Sequence, residues 1–247
     1  MNKYLLSFLF LLFCSLNILQ AKTKIMPLGD SITWDGRVDD TRLDSERSAY
    51  RNHLWYKLQD GGYDVDFVGS RNNGGAVRPS YDGNNQGHNG WTSSKIANYV
   101  YSFLNNNTPD IILLHIGTND VLQGYSTAEA VAGTERILNE IDRFEKDKGV
   151  NIKVIIARII KLGRSPGSTW IPDFNNKLAA MIQNRNDESI SVVNMENALS
   201  YGDLIDTIHP TPTGYQKMAG VWFKALEGSI QEDYAWLIPV NTMLLFN

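Results

Sequence analysis

The stretch Ile25-Met26-Pro27-Leu28-Gly29-Asp30-Ser31-Ile32-Thr33 decides how the rest of the chain is read. An apolar run enters Gly-Asp-Ser and then the polar segment Thr33-Trp34-Asp35-Gly36. A short buried strand is therefore predicted to end with a serine at its carboxyl edge, which is where open α/β sheets bind ligands. Gly29 can take backbone angles closed to other residues, so the turn can be tight. A serine in such a loop can equally make a local cap or turn bond, and a free hydroxyl is a poor nucleophile. The choice depends on whether a base, an acid and oxyanion donors follow downstream.

Outward from that stretch, strands alternate with helices. Helices are predicted over 48–60, from Thr92 or Ser93 to about Leu104, and over about 127–147, 172–185 and 213–226. Val65–Gly69, Asp110–Ile116, Lys153–Ala157 and Ile190–Asn194 read as further strands. The run Ile111-Ile112-Leu113-Leu114 is unbroken by polar residues, as a central strand covered on both faces should be. The class is α/β with a mostly parallel sheet. Residues 71–90 are rich in Asn, Gly, Ser and Pro and read as one long loop, a length that is usually functional or mobile.

The 247 residues suffice for one α/β domain, and the composition is that of an ordinary globular protein. A formal charge of −4 argues against nucleic acid as a partner. Residues 1–21 read as a secretory signal peptide: a basic start at Lys3, an apolar run from Tyr4 to Leu19, and Ala21 at the cleavage site. That run is short for a membrane span of about 20 residues. Removing Lys3 takes the charge from −4 to −5. Cys14, the only cysteine, lies inside that segment, so the expected mature chain has no thiol and no disulfide. Export to a bacterial periplasm or exterior is expected, with no membrane span in the mature chain. Residues 229–247 read as an apolar tail of open role, interrupted by Pro239.

Three further stretches carry possible chemistry. Gly87-His88-Asn89-Gly90-Trp91 precedes a helix, where backbone N–H groups point outward and bind anions. Gly117-Thr118-Asn119-Asp120 follows the central strand, so Asn119 is either a turn residue or an amide over the serine's edge. In Asp206-Thr207-Ile208-His209-Pro210 a carboxylate stands three residues before a histidine. It can accept from one ring nitrogen and leave the other to take the serine proton.

As a set, Ser31, Gly90, Asn119 and Asp206 with His209 occur in the order of the SGNH (GDSL-type) hydrolases, and the chain resembles that family over most of its length. Tyr50-Arg51, Val65–Ser70 and Gly87–Trp91 are similar to the acetyl xylan esterase branch known as carbohydrate esterase family three. Trp34-Asp35 departs from it, standing where relatives often carry Glu-Gly. The resemblance implies a flavodoxin-like three-layer sandwich over residues 22–228, with a five-stranded sheet and helices on both faces. It implies a secreted serine esterase with Ser31, Asp206 and His209 catalytic, and Ser31, Gly90 and Asn119 forming an oxyanion hole. The expected substrate is an acylated carbohydrate, chiefly an acetylated one. A broader esterase or lysophospholipase, and a non-catalytic carbohydrate-binding protein, remain the alternatives.

Asp30, Trp34, His88 and Trp91 are candidate substrate contacts, the tryptophans as a sugar-stacking wall or as core. His115 is expected to be a hydrogen-bonded core histidine, and Arg51 to pair with Asp30 or another loop carboxylate. His53 has no acidic or cysteine neighbour at ligand spacing. No His, Asp and Glu cluster has the spacing of a metal site, so neither metal nor cofactor is expected.

Overall fold

A computed structural model of the protein describes residues 21–163 and 167–235. The predicted signal segment lies outside the described residues except for Ala21, as does the tail beyond Ala235. Seven strands form one sheet: β1 (Thr23–Gly29), β2 (Val65–Phe67), β3 (Arg71–Asn72), β4 (Asn84–Gly87), β5 (Ile111–His115), β6 (Lys153–Arg158) and β7 (Ile190–Asn194). The main path runs β3-β4-β1-β5-β6-β7, with β2 also paired to β1. All pairs are parallel except β3 with β4.

The count of five predicted strands is corrected to seven, because the supposed loop at 71–90 holds two of them. β2 pairs with the first half of β1 and β4 with its last two residues, so both share one edge of β1. Asn84-Asn85-Gln86-Gly87 carries no β-branched residue and gives no strand signal. Its backbone pairs with Leu28 and Gly29 while its amides bond one another's loops.

The helices are α1 (Ser31–Trp34), α2 (Arg51–Asp60), α3 (Ser93–Ala97), α4 (Val100–Asn106), α5 (Thr118–Leu122), α6 (Thr127–Lys148), α7 (Gly167–Arg185) and α8 (Pro212–Ala235). The helix predicted from Thr92 or Ser93 is thus two short ones, with Thr92 accepting from the Lys95 N–H as the first cap. α6 has a reciprocal Ser126–Glu129 cap and ends at Gly149 with φ of 66°. α8 continues through Ala235, nine residues beyond the predicted Leu226 and into the region read as a tail.

Side chains alternate across the sheet and build two cores. Met26, Leu28, Ile112, Leu114, Val154 and Ile156 face α3, α4, α6 and α7. Ile25, Ile111, Leu113, Ile155 and Ala157 face α2 and α8, where Trp222 is fully buried. Both faces of the sheet are thereby covered, which gives the three-layer sandwich and explains why β5 is buried at every position. Gly29 of β1 is in register with Gly87 of β4 and His115 of β5. Three adjacent strands therefore end side by side, and the chain leaves them as Ser31, His88–Trp91 and Gly117–Asn119.

Candidate active site

Ser31 opens the single-turn helix α1 directly after β1. Asp30 caps that turn, its Oδ1 accepting from the Ile32 N–H at 2.9 Å. At the other end Asp35 takes φ of 74°, and its carboxylate accepts from the Ser48 and Ala49 N–H groups and from Arg42. The nucleophile-bearing turn is held at both ends by aspartates.

The Ser31 hydroxyl lies 2.9 Å from His209 Nε2, and His209 Nδ1 lies 2.8 Å from Asp206 Oδ2. Asp206 Oδ1 also accepts from the backbone N–H groups of Ile208 at 3.1 Å and His209 at 2.7 Å. Burial pushes the Asp206 carboxyl up, but these backbone and ring donors outweigh it, so the group stays below the usual carboxylate range. Nδ1–H therefore donates to Asp206, which leaves the Nε2 lone pair facing the serine hydroxyl. The loop carrying both residues is pinned by a bridge from Leu204 to Pro210 and by the Gly163 N–H on Thr207.

Among the described residues the backbone N–H groups of Ser31 and Gly90 have no protein acceptor. Gly90 takes φ of 72°, and a Cβ there would meet nothing within 4 Å, so backbone angle rather than crowding calls for glycine. Asn119 Nδ2 donates to the Trp91 carbonyl at 3.0 Å, which fixes the amide's orientation and leaves its second N–H free. Gln123 holds the Gly90 carbonyl at 2.9 Å, and Asp120 ties α5 to α3 through the Ser93 hydroxyl and N–H. Neither role is visible in the sequence, since an exposed amide such as Gln123 carries no positional signal and nothing in the sequence shows that Asp120 is buried against Ser93.

A cleft of about 400 Å³ opens at the His209 ring, with Arg37, Arg42, Glu46, His53 and Tyr215 among its walls. A second hollow, of about 270 Å³, lies beside Gly90 between Trp34 and Trp91.

A model of the GDSL-like lipase/acylhydrolase family matches residues 25–222. The chain belongs to this family. As a GDSL-type acylhydrolase it is a carboxylic ester hydrolase, and its relatives include carbohydrate esterases. It is 31% identical over 235 residues, 84% of its own length, to a multidomain esterase of Ruminococcus flavefaciens, and spans 29% of that protein. A carbohydrate esterase family 3 structure from Talaromyces cellulolyticus is similar at a TM-score of 0.72 and 26% identity, over 85% of this chain and 99% of that one. A family 3 carbohydrate esterase of Clostridium thermocellum is similar at 0.65 and 28%, over 83% and 94%. A mutant acetyl esterase with an acetate ion is similar at 0.72 and 26%, over 85% and 99%.

Within this acylhydrolase several expected contacts are relocated. Asp30 is fully buried behind the turn and cannot touch substrate. Burial raises its carboxyl to about 7 against the pull of the Ile32 N–H, and Asp120 adds to the rise. His88 is also buried, its ring 4.1 Å from Trp91 and 4.9 Å from Phe103, so it supports the wall rather than forming it. Among the described residues Arg51 pairs with no carboxylate; it is fully buried and donates to the carbonyls of Thr33, Gly83 and Arg47. His115 is buried as expected, yet neither ring nitrogen has a hydrogen-bond partner. Among the described residues no group of His, Cys, Asp and Glu could hold a metal ion.

Proposed function

We propose that the chain hydrolyses O-acyl esters, chiefly O-acetyl, on polysaccharide or oligosaccharide with Ser31 as nucleophile. The observation that carries this reading is the unbroken chain from Ser31 Oγ through His209 to Asp206, beside two unpaired backbone N–H groups. In this reading His209 Nε2 takes the hydroxyl proton as Ser31 Oγ attacks the ester carbonyl. The tetrahedral oxyanion is held by the N–H groups of Ser31 and Gly90 and by the Asn119 amide. His209 then gives its proton to the departing sugar oxygen. Water, deprotonated by the same nitrogen, releases the acid from Ser31. Asp206 stays ionised throughout and stabilises the imidazolium.

Saccharide rather than lipid is favoured by the clefts themselves. The cleft at His209 sets Arg37, Arg42 and Glu46 among Ile205, Pro210, Pro212 and Tyr215, and the second hollow sets Asp44, Arg47, Arg71 and Asn89 between two indoles, so neither is the long apolar groove an acyl chain needs. Several solved relatives carry carbohydrate esterase names, which agrees with this choice. Export to the periplasm or exterior belongs to the same proposal and rests on the composition of residues 1–21. The test is acetate release from acetylated xylan by residues 22–247 beside Ser31→Ala. Release that vanishes in the variant supports the proposal. Serine-dependent hydrolysis of aryl acetate without release from xylan would reject the polysaccharide.

A further inference from the structure

Arg71, in β3, has no acidic partner among the described residues. Its guanidinium carbon lies 4.8 Å from the Trp34 ring centroid, and its Nε–H donates to His88 Nδ1 at 3.3 Å. Neither terminal nitrogen bonds a protein acceptor among the described residues. The support behind it is rigid. His88 packs against both Trp91 and Phe103, and its Nε2 meets Gln86 Oε1 at 3.1 Å. Burial and the neighbouring Arg71 and Lys95 charges bring the His88 ring down to about 4, so it stays neutral and accepts from Arg71.

The hollow this arginine faces is lined by Trp34, Asp44, Arg47, Arg71, Asn89 and Trp91. Asp44, its only carboxylate, lies 3.4 Å from Arg47 Nε, and Arg47 also pairs with Asp40 at 2.8 Å. Lys95 adds a further positive charge 4.7 Å over the Trp91 ring. The local balance is thus positive in a chain whose net charge is −4. A guanidinium with its fork free, positioned beside an indole, matches a planar carboxylate next to a sugar ring.

We propose that this hollow is a subsite for a carboxylate on the substrate, so that the preferred esters lie on a saccharide bearing a uronic acid near the acylated residue. Arg71 is its ligand, and Trp34 and Trp91 line the hollow on either side. The proposal rests on the saccharide-esterase reading above.

The test compares kcat/KM for acetate release from two acetylated xylo-oligosaccharides that differ only in a uronic acid side group. The purified protein, Arg71→Gln and Arg71→Lys are assayed on both, so each ratio is internal to one variant. The wild type is expected to favour the acidic substrate by roughly tenfold or more, the scale of one charge-assisted pair. The ratio should fall to near one in Arg71→Gln and lie between in Arg71→Lys, which keeps the charge but loses the fork. Should Arg71→Gln fail to fold, Arg71→Lys and the wild-type ratio still decide. A wild-type ratio of one or below, or a ratio unmoved by the variants, overturns the subsite alone. Hydrolysis of aryl acetate with no release from either saccharide overturns the saccharide reading and the subsite with it.

Discussion

At the scale of single residues, the oxyanion donors separate by how they are held. The Ser31 and Gly90 N–H groups are backbone and fixed by the turns around them, whereas Asn119 is a side chain oriented by one bond to the Trp91 carbonyl. Replacing Asn119 by Ala should lower kcat by roughly 10²–10³-fold with KM little changed, the usual cost of one lost oxyanion donor. A loss under about threefold on a saturating ester would remove Asn119 from the hole. Asp30 makes a different prediction. Its carboxyl is raised from 3.8 to about 7 chiefly by burial. Between those values the folded chain keeps a proton that the unfolded chain has released. Stability from this group is therefore full below about 4 and is lost as pH rises through about 7, at up to about 1.4 kcal/mol per pH unit. Asp30→Asn, which mimics the protonated acid, should gain stability relative to wild type between pH 5 and pH 8 in urea unfolding; parallel pH curves would contradict this. Residue types at this scale were largely legible: Asp206 and His209 meet as their three-residue spacing suggested, and Ser31 lies beside them as the resemblance implied. Asp30 and His88 were not, because adjacency to a reactive residue says nothing about which side of the backbone a side chain takes.

The elements explain what the sequence hid. Long helices and the apolar strands β1, β5, β6 and β7 announce themselves through period and composition. β4 does not, because it is a strand of amides whose pairing depends on β1 having a free edge beyond β2. Its role in the site follows from packing. A Cβ on Gly87 would lie 2.6 Å from the Trp34 nitrogen and 2.8 Å from its Cα, both backbone atoms of α1. Gly87→Ala should therefore push on the turn that carries Ser31, costing on the order of 1–3 kcal/mol and lowering kcat. Gly220→Ala in α8 is the control, since a Cβ there meets nothing within 4 Å and alanine is the better helix former. Thermal unfolding and aryl acetate kinetics of the pair check this; equal behaviour of the two variants would show that the β4–α1 contact does not position the serine.

Across the whole molecule, one topological fact brings distant residues together. β4, β1 and β5 are parallel neighbours ending in register, so residues 31, 90 and 119 converge although 88 positions separate the first from the last. His209 reaches the same edge from the loop before α8, whose length is anchored by Trp222 in the second core. The two cores make the sheet a rigid platform, and the chemistry rests on the loops above it. This architecture was readable from the alternation of strands and helices; the clefts were not, because they depend on where the 35–49 segment and the β3–β4 hairpin fold back. The most direct test of the account is covalent labelling of the protein with a reactive phosphonate, which forms a tetrahedral adduct on an activated serine, followed by peptide mass mapping. A single adduct on Ser31, lost in His209→Ala, is the predicted result. An adduct on another residue, or one on Ser31 that forms equally fast without His209, would contradict it.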